Sequence, residues 1–221
     1  MVVGVSVQRR FEQLLHDRTV TCATFADSFF GDEGCVQLCE VIAAGSSITA
    51  LDLRGCNIRT GGAAALAKLL QTNNTLRTLD LEWNGIGSSD EAVAIIADAL
   101  AVNQGLTSLD LRNNSVSPQG SCHLARALGA NKALHRLDLR WNDVGVFGGN
   151  ALAHALEANR TLCEMLLSGN KVCEDALAKI DDLVQRNRSA VRPVRSRRRR
   201  RRRPPLPPRR VCSGPAGRHS E

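Results

Sequence analysis

Five histidines and eight cysteines are the side chains of this 221-residue chain best suited to chemistry. Their spacing gives them little to do. His16, His123, His135, His154 and His219 are scattered, and none stands at a motif spacing from a nucleophile. His135 is expected on an exposed strand face one coil from Ser108, a weak arrangement by itself. Cys35 and Cys39 are four residues apart, with Leu38 beside them, but no second Cys or His pair completes a tetrahedral zinc site. These thiols therefore read as small core residues. No catalytic residue, metal, cofactor or small-molecule substrate is expected, and the chain reads as a non-enzyme.

What does recur is a phrase. Residues 79–85 read LDLEWNG and residues 137–143 read LDLRWND, which hold the only two tryptophans. Leu76, Leu79, Leu81, Asn84 and Ile86 align with Leu106, Leu109, Leu111, Asn114 and Val116. The series continues through Leu134, Leu137, Leu139, Asn142 and Val144, then Leu162, Met165, Leu167, Asn170 and Val172. Ile48, Leu51, Leu53, Cys56 and Ile58 fit upstream, and Val20, Ala23, Phe25, Ser28 and Phe30 fit more loosely. Six units thus begin at residues 20, 48, 76, 106, 134 and 162. A fixed period of this kind decides architecture before any local propensity does.

Each unit must place its residues with two elements. L-x-x-L-x-L has the alternation of a short strand, and Asn at the ninth place turns the chain while its amide satisfies backbone groups. Apolar triplets then follow at i, i+3, i+4, on one helix face: Leu38, Val41, Ile42; Leu66, Leu69, Leu70; Ile96, Ala99, Leu100; Leu124, Ala127, Leu128; Leu152, Ala155, Leu156; Ile180, Leu183, Val184. Gly34, Gly62, Gly120 and Gly148 recur where a side chain would crowd the next coil. One strand and one helix cannot bury their own apolar faces, so the units must stack. The third unit has two extra residues, placed in a surface loop where Ser88 or Ser89 caps the helix ahead of Asp90 and Glu91. Residues 1–19 are expected to hold a short capping helix with Phe11, Leu14 and Leu15 on its apolar face.

This pattern resembles the leucine-rich repeats of the ribonuclease-inhibitor type over residues 20–189. The resemblance implies an α/β solenoid, a right-handed horseshoe segment with a parallel sheet on the concave side and helices on the convex side. In such a coil the residues between the leucines face outward. The fifth place carries Asp52, Asp80, Asp110 and Asp138, and the seventh carries Arg54, Glu82, Arg112 and Arg140. Stacked aspartates repel unless these arginines neutralise them. Trp83 and Trp141 share the eighth place, with Asn113 between them, and large aromatics beside arginines have the composition of an interface hot spot. A protein partner is therefore expected on the concave face.

The net charge of +7 is misleading. Residues 190–221 hold twelve arginines and one acid, so removing that +11 leaves −4 on the rest, which gives the repeats no basic face for nucleic acid. The run Arg197, Arg198, Arg199, Arg200, Arg201, Arg202 and Arg203 is expected to be disordered and to attract nucleic acid or an acidic partner by charge. Pro204, Pro207 and Arg209 fit P-x-x-P-x-R, an SH3 ligand pattern. The amino terminus has its apolar run before its charges, the reverse of a secretory signal. No segment is long enough to span a membrane. A reducing, cytoplasmic setting is therefore expected, with the nucleus as the alternative that an arginine-rich signal would direct. The N-x-S/T triplets at Asn73, Asn159 and Asn187 fall at the turn leaving each helix and read as structural.

The run from LEWNGIGSSDEA through LDLRNNSVSPQG to LDLRWNDVGVFGGNALAHALEANRTL is similar to the amino-terminal repeats of the family of the centrosomal leucine-rich repeat-containing protein forty-five. Trp83, Asn84, Arg112, Asn113, Arg140, Trp141 and Asn142 stand at matching places. That likeness implies a non-catalytic scaffold in the linker between paired centrioles, with links to ciliary assembly. Members of that family continue into a long coiled coil. Here RSRRRRRRRPPLPPRR follows, without heptads, as a genuine tail or as a translated intron or truncated gene model in place of the coiled coil, so the resemblance does not carry filament formation over to this chain. Two other functions remain as alternatives: a regulator of a small GTPase, since Ran GTPase-activating proteins use the same repeat, and RNA binding through the tail.

Overall fold

The computed structural model describes residues 4–191. The expectations for the arginine run, the SH3-ligand pattern and the rest of the tail lie outside these residues. Strands and helices alternate from the first coil to the last: β1 Cys22–Thr24, α2 Gly31–Ala43, β2 Ala50–Asp52, α3 Thr60–Thr72, β3 Thr78–Asp80, α4 Asp90–Val102, β4 Ser108–Asp110, α5 Pro118–Ala130, β5 Arg136–Asp138, α6 Gly145–Ala158, β6 Glu164–Leu166 and α7 Glu174–Val191. Helix α1, Val5–His16, precedes them. The six strands form one parallel sheet in sequence order. Register follows the repeat frame, since Leu51, Leu79, Leu109, Leu137 and Met165 are successive partners.

The leucines that define the repeat are the core. Leu51, Leu53, Leu79, Leu81, Leu109, Leu111, Leu137 and Leu139 are all buried, and the helix triplets close over them. Burial of each such side chain contributes about 1.5–3 kcal/mol. Gly62 shows why the helices start on small residues: a Cβ there would lie 2.6 Å from Ile58 Cγ2 and 2.9 Å from Asp32 Oδ1 of the preceding coil.

Two asparagine ladders hold the coils in register. At the ninth place Asn84 Nδ2 donates to Leu53 O at 2.8 Å and Leu81 O at 2.9 Å, while its Oδ1 accepts from Ile58 N at 2.8 Å. Asn114, Asn142 and Asn170 repeat this pattern. Cys56 takes the slot one coil earlier. Burial pushes its thiol up to about 12, so it keeps its proton and donates to Phe25 O at 3.1 Å.

The second ladder stands at the helix exits. Helix C-termini leave their last carbonyls without intrahelical partners, and the next coil supplies the donor. Asn103 Nδ2 donates to Leu70 O, Asn131 to Leu100 O and Asn159 to Leu128 O, at 2.6, 2.6 and 2.8 Å. Asn159 is buried with that nitrogen occupied, which leaves a glycan no room.

Several local expectations fail for identifiable reasons. Asn187 is not a turn: α7 runs four residues past it to Val191. Asn187 nevertheless donates to Leu162 O at 2.9 Å, and Arg186 Nη2 satisfies Leu156 O at 2.9 Å, which closes the α6 exit. Ser89 stands at the N-cap of α4 but makes no side-chain cap bond, and Ser88 Oγ instead donates to Gly85 O at 2.6 Å inside a 3₁₀ turn over Ile86–Ser88. The turn lies in the stretch that holds the two extra residues and engages Ser88, while Ser89 occupies the cap position in an extended conformation without using its hydroxyl. Leu15 is 45% exposed, whereas Val7, Phe11 and Leu14 face the first coil. Phe11 packs edge-on against Phe25 at 5.2 Å and Phe30 at 6.0 Å.

Candidate protein-binding face and aromatic edge

The outer face of the sheet carries a charge ladder in strand register. Asp52, Asp80, Asp110 and Asp138 are partners from β2 to β5. Parallel pairing holds neighbouring strands about 4.8 Å apart, so the carboxylates must be neutralised from within the face. Arg54 Nη2 meets Asp52 at 2.8 Å, Arg112 Nε meets Asp110 at 2.8 Å, and Arg140 Nη2 meets Asp138 at 2.7 Å. Hydrogen bonding from Arg54 lowers the Asp52 pKa.

The third coil breaks this pairing because its seventh place is Glu82. Glu82 is taken by Arg112 of the next coil at 2.8 Å, and the nearest guanidinium to Asp80 is Arg54, at 3.5 Å. Burial, reinforced by Asp110 and Asp52 on either side, pushes Asp80 up to about 6. The folded state therefore holds the Asp80 proton more tightly than an unfolded chain with a value near 3.9. The resulting cost is fully present above about pH 6 and vanishes below about pH 4. Asp80→Asn keeps the acceptor for Glu82 N and should stabilise the chain by about 2 kcal/mol at pH 7.5, with the gain gone near pH 4. Urea titrations at the two pH values check this; an equal gain at both would rule out the titration.

Asp138 departs from the expectation of an exposed ladder residue. Its side chain is fully buried under Arg112, Arg136 and Arg140. Sequence reading missed Arg136, at the third place, which also bridges to Glu164 at 2.6 Å. The signal was available, because the third place also faces outward. His135, by contrast, precedes β5 and lies level with Thr107; the ladder partner of Ser108 is Arg136. His135 Nδ1 is engaged with Ala133 O at 2.7 Å, and the expected His–Ser juxtaposition is absent.

The eighth place has a property invisible in the repeat pattern. Asp27, Gly55, Trp83, Asn113, Trp141 and Gly169 all have φ between 53° and 79°. Glycine and asparagine suit this left-handed region, whereas a bulky side chain there costs roughly 1–3 kcal/mol. Both tryptophans sit in it, 65% and 62% exposed. The ladder continues through these residues: Trp83 N donates to Arg112 O at 3.1 Å, Asn113 N to Arg140 O at 3.2 Å, and Trp141 N to Ser168 O at 3.0 Å. Trp141 also lies over Gly169, where a Cβ would stand 2.4 Å from its ring. Phe29, 64% exposed and likewise at positive φ, joins Trp83 across a groove of about 430 Å³ lined by Gly55, Asn57, Arg59 and Ser88. Phe29 was missed because the repeat frame assigns its neighbour, Phe30, to the core.

The stacked coils define the class by fold: the chain forms an α/β solenoid of leucine-rich repeats. The Leucine Rich repeat family model matches residues 46–67, 72–90 and 130–153. In particular, the chain is similar to Leucine-rich repeat-containing protein 45 of Gallus gallus, 41% identical over 108 residues, which is 47% of this chain and 16% of that protein. It is also similar to Centrosomal protein of 78 kDa of Xenopus tropicalis, 42% identical over 59 residues, or 27% of this chain and 8% of that protein. The matched stretches thus span less than a fifth of these relatives' lengths. Among solved structures, the actin-binding site 2 of leiomodin-1 has the same fold, with a TM-score of 0.55 at 18% identity over 85% of this chain and 92% of that one. Among the described residues no helix is long and apolar enough to cross a membrane.

Proposed function

We propose that the chain is a non-catalytic interaction scaffold of the centrosome or the cytoskeleton that offers the outer face of its sheet and the adjoining aromatic edge to a protein partner. The observation that carries this reading is the pair of exposed tryptophans held at positive φ beside Arg112 and Arg140. Neither exposure nor backbone conformation favours tryptophan there, and Trp and Arg are the residues in which interface energy concentrates. Asp52, Arg54, Asp80, Glu82, Asp110 and Asn113 form the polar surround, with Asp138 holding the arginines from beneath. The centrosomal part is supported by the likeness to a relative named for the centrosome.

The test is the full chain with a fluorescent tag at low expression. A focus coincident with the centrosome is expected, and it should weaken in the Trp83→Gly, Trp141→Gly double variant. A diffuse signal from the tagged wild type counts against a centrosomal role.

A further inference from the structure

The arginines on the outer face of the sheet are answered by carboxylates, since Arg54, Arg112, Arg136 and Arg140 each meet at least one. A second set of cations is not. Among the described residues no carboxylate pairs with Arg77, Lys132, Arg160, Arg186 or Arg188. Backbone carbonyls hold four of them, which orients a cation without neutralising it. Arg77 Nη1 donates to Gly105 O at 2.6 Å, Lys132 Nζ to Gly129 O at 3.3 Å, Arg186 Nη2 to Asn159 O at 2.6 Å and Arg188 Nε to Cys163 O at 2.5 Å. Arg160 is exposed and makes no hydrogen bond among these residues.

The repeat frame gathers these side chains at one edge. Arg77, His135 and Cys163 share the second place, just ahead of the strands, and a continuous run of bonds joins them: Thr107 N to Arg77 O, His135 N to Thr107 O and Cys163 N to His135 O, each at 2.8 Å. Arg188 reaches that run through Cys163. Lys132 and Arg160 each follow a helix-exit asparagine, and Asn159 Nδ2 ties the two turns together by donating to Asn131 O at 3.2 Å. Arg186 stands close to Arg160: burial, then the charge of Arg160, lowers its pKa. The acids that flank this edge in sequence are engaged elsewhere, Glu157 with Lys179 and Glu164 with Arg136. Repeats that are acidic in sum therefore carry a basic edge.

The middle of that edge is a groove of about 730 Å³. It brings Arg77, Lys132 and His135 together with Val102, Gln104 and Thr107, and no Asp, Glu, Phe or Trp lines it. Val102 is 61% exposed. A nucleic-acid strand would meet charge here but no large ring on which its bases could stack, and a duplex backbone has nothing apolar to lay on a valine. An acidic peptide matches both features. Its carboxylates take charge-assisted bonds from the guanidinium and ammonium groups, and an apolar side chain covers Val102.

We infer that the edge from Arg77 to Arg188 docks an acidic peptide segment of a partner protein. It lies where the strands begin, whereas Trp83 and Trp141 follow their ends. The scaffold thus gains a second surface on different residues, and either surface can fail alone.

Lysine chemistry localises the test. The lysines of the chain are Lys68, Lys132, Lys171 and Lys179, and residues 190–221 hold none. A carbodiimide, which joins a carboxylate to an adjacent amine as an amide and leaves as a urea, is therefore blind to the arginine tail. Lys171 and Lys179 already sit beside Asp143 and Glu157, so exposed Lys68 is the comparison. The full chain is treated with carbodiimide and an acetylated glutamate peptide of about twelve residues with leucine at every fourth place, and coupled lysines are mapped by mass spectrometry. Coupling at Lys132 well above Lys68 is expected, and salt at about 1 M should suppress it. Arg77→Gln combined with Arg160→Gln should reduce it about fivefold, as two partly solvated charge pairs would. Arg160→Gln alone removes no hydrogen bond or ion pair among the described residues; it should reduce coupling about twofold with the urea midpoint unchanged, which separates docking from folding. Arg9→Gln combined with Arg126→Gln removes the same charge elsewhere and should leave coupling as it is. The inference is overturned by absence of coupling at Lys132, by equal coupling at Lys68, by an equal loss in the Arg9 and Arg126 pair, or by displacement of the peptide from Lys132 by a DNA duplex of the same total charge.

Discussion

Replacing Asn159 by Ala should lower unfolding stability by about 4 kcal/mol, one of the largest losses available to a single polar side chain here. Its Nδ2 donates to Leu128 O and Asn131 O, and its Oδ1 accepts from Thr161 N, Thr161 Oγ1 and Leu162 N. Alanine leaves these groups unsatisfied in a site closed to water. The helix-exit carbonyl of Leu128 loses its donor, and the turn into β6 loses its clamp. Asn73, at the same phase one end earlier, provides the comparison. Its Oδ1 clamps Thr75 and Leu76, but the residue is only partly buried. Asn73→Ala should therefore cost about 1 kcal/mol. Urea denaturation followed by far-ultraviolet circular dichroism measures both. Similar losses at the two sites would mean that the link between coils adds nothing to the local turn.

Asp138→Ala should cost about 3 kcal/mol. The carboxylate is buried, and three guanidinium groups converge on it. Arg112 keeps Asp110 and Glu82, and Arg136 keeps Glu164. Among the described residues Asp138 is the only carboxylate paired with Arg140. Removing it leaves Arg140 uncompensated next to two like charges. Asp52→Ala, at the open start of the ladder, should cost less than about 1 kcal/mol, because Asp52 and its partner Arg54 are partly solvated. The same denaturation series distinguishes the two; equal costs would mean that burial of Asp138 carries no energetic weight. Added salt should reduce the Asp52 effect and leave the Asp138 effect largely intact.

The two asparagine ladders were unequally visible in advance. The ninth-place asparagines announce themselves beside the leucines at a fixed offset. In the helix-exit series only Asn73, Asn159 and Asn187 are marked in the sequence, by an N-x-S/T triplet, whereas Asn103 and Asn131 carry no local signature. Their role depends on a carbonyl about 30 residues away in sequence, and no local pattern encodes such a pair.

Period, strand register and the inward set of leucines were determined by the sequence alone, because a repeat that cannot bury its own apolar face has only its neighbour to bury it against. The alignment of Asp52, Asp80, Asp110 and Asp138 follows from the same constraint. Tertiary structure alone decided how each carboxylate is treated: Asp138 is sealed beneath three arginines, and Asp80 is left to share one. It also decided that the tryptophan place is a left-handed turn, and that Phe29 reaches the same edge from a different position in its coil. Those outcomes depend on which side chains of adjacent coils meet and how much water remains between them, and the repeat pattern averages such differences away.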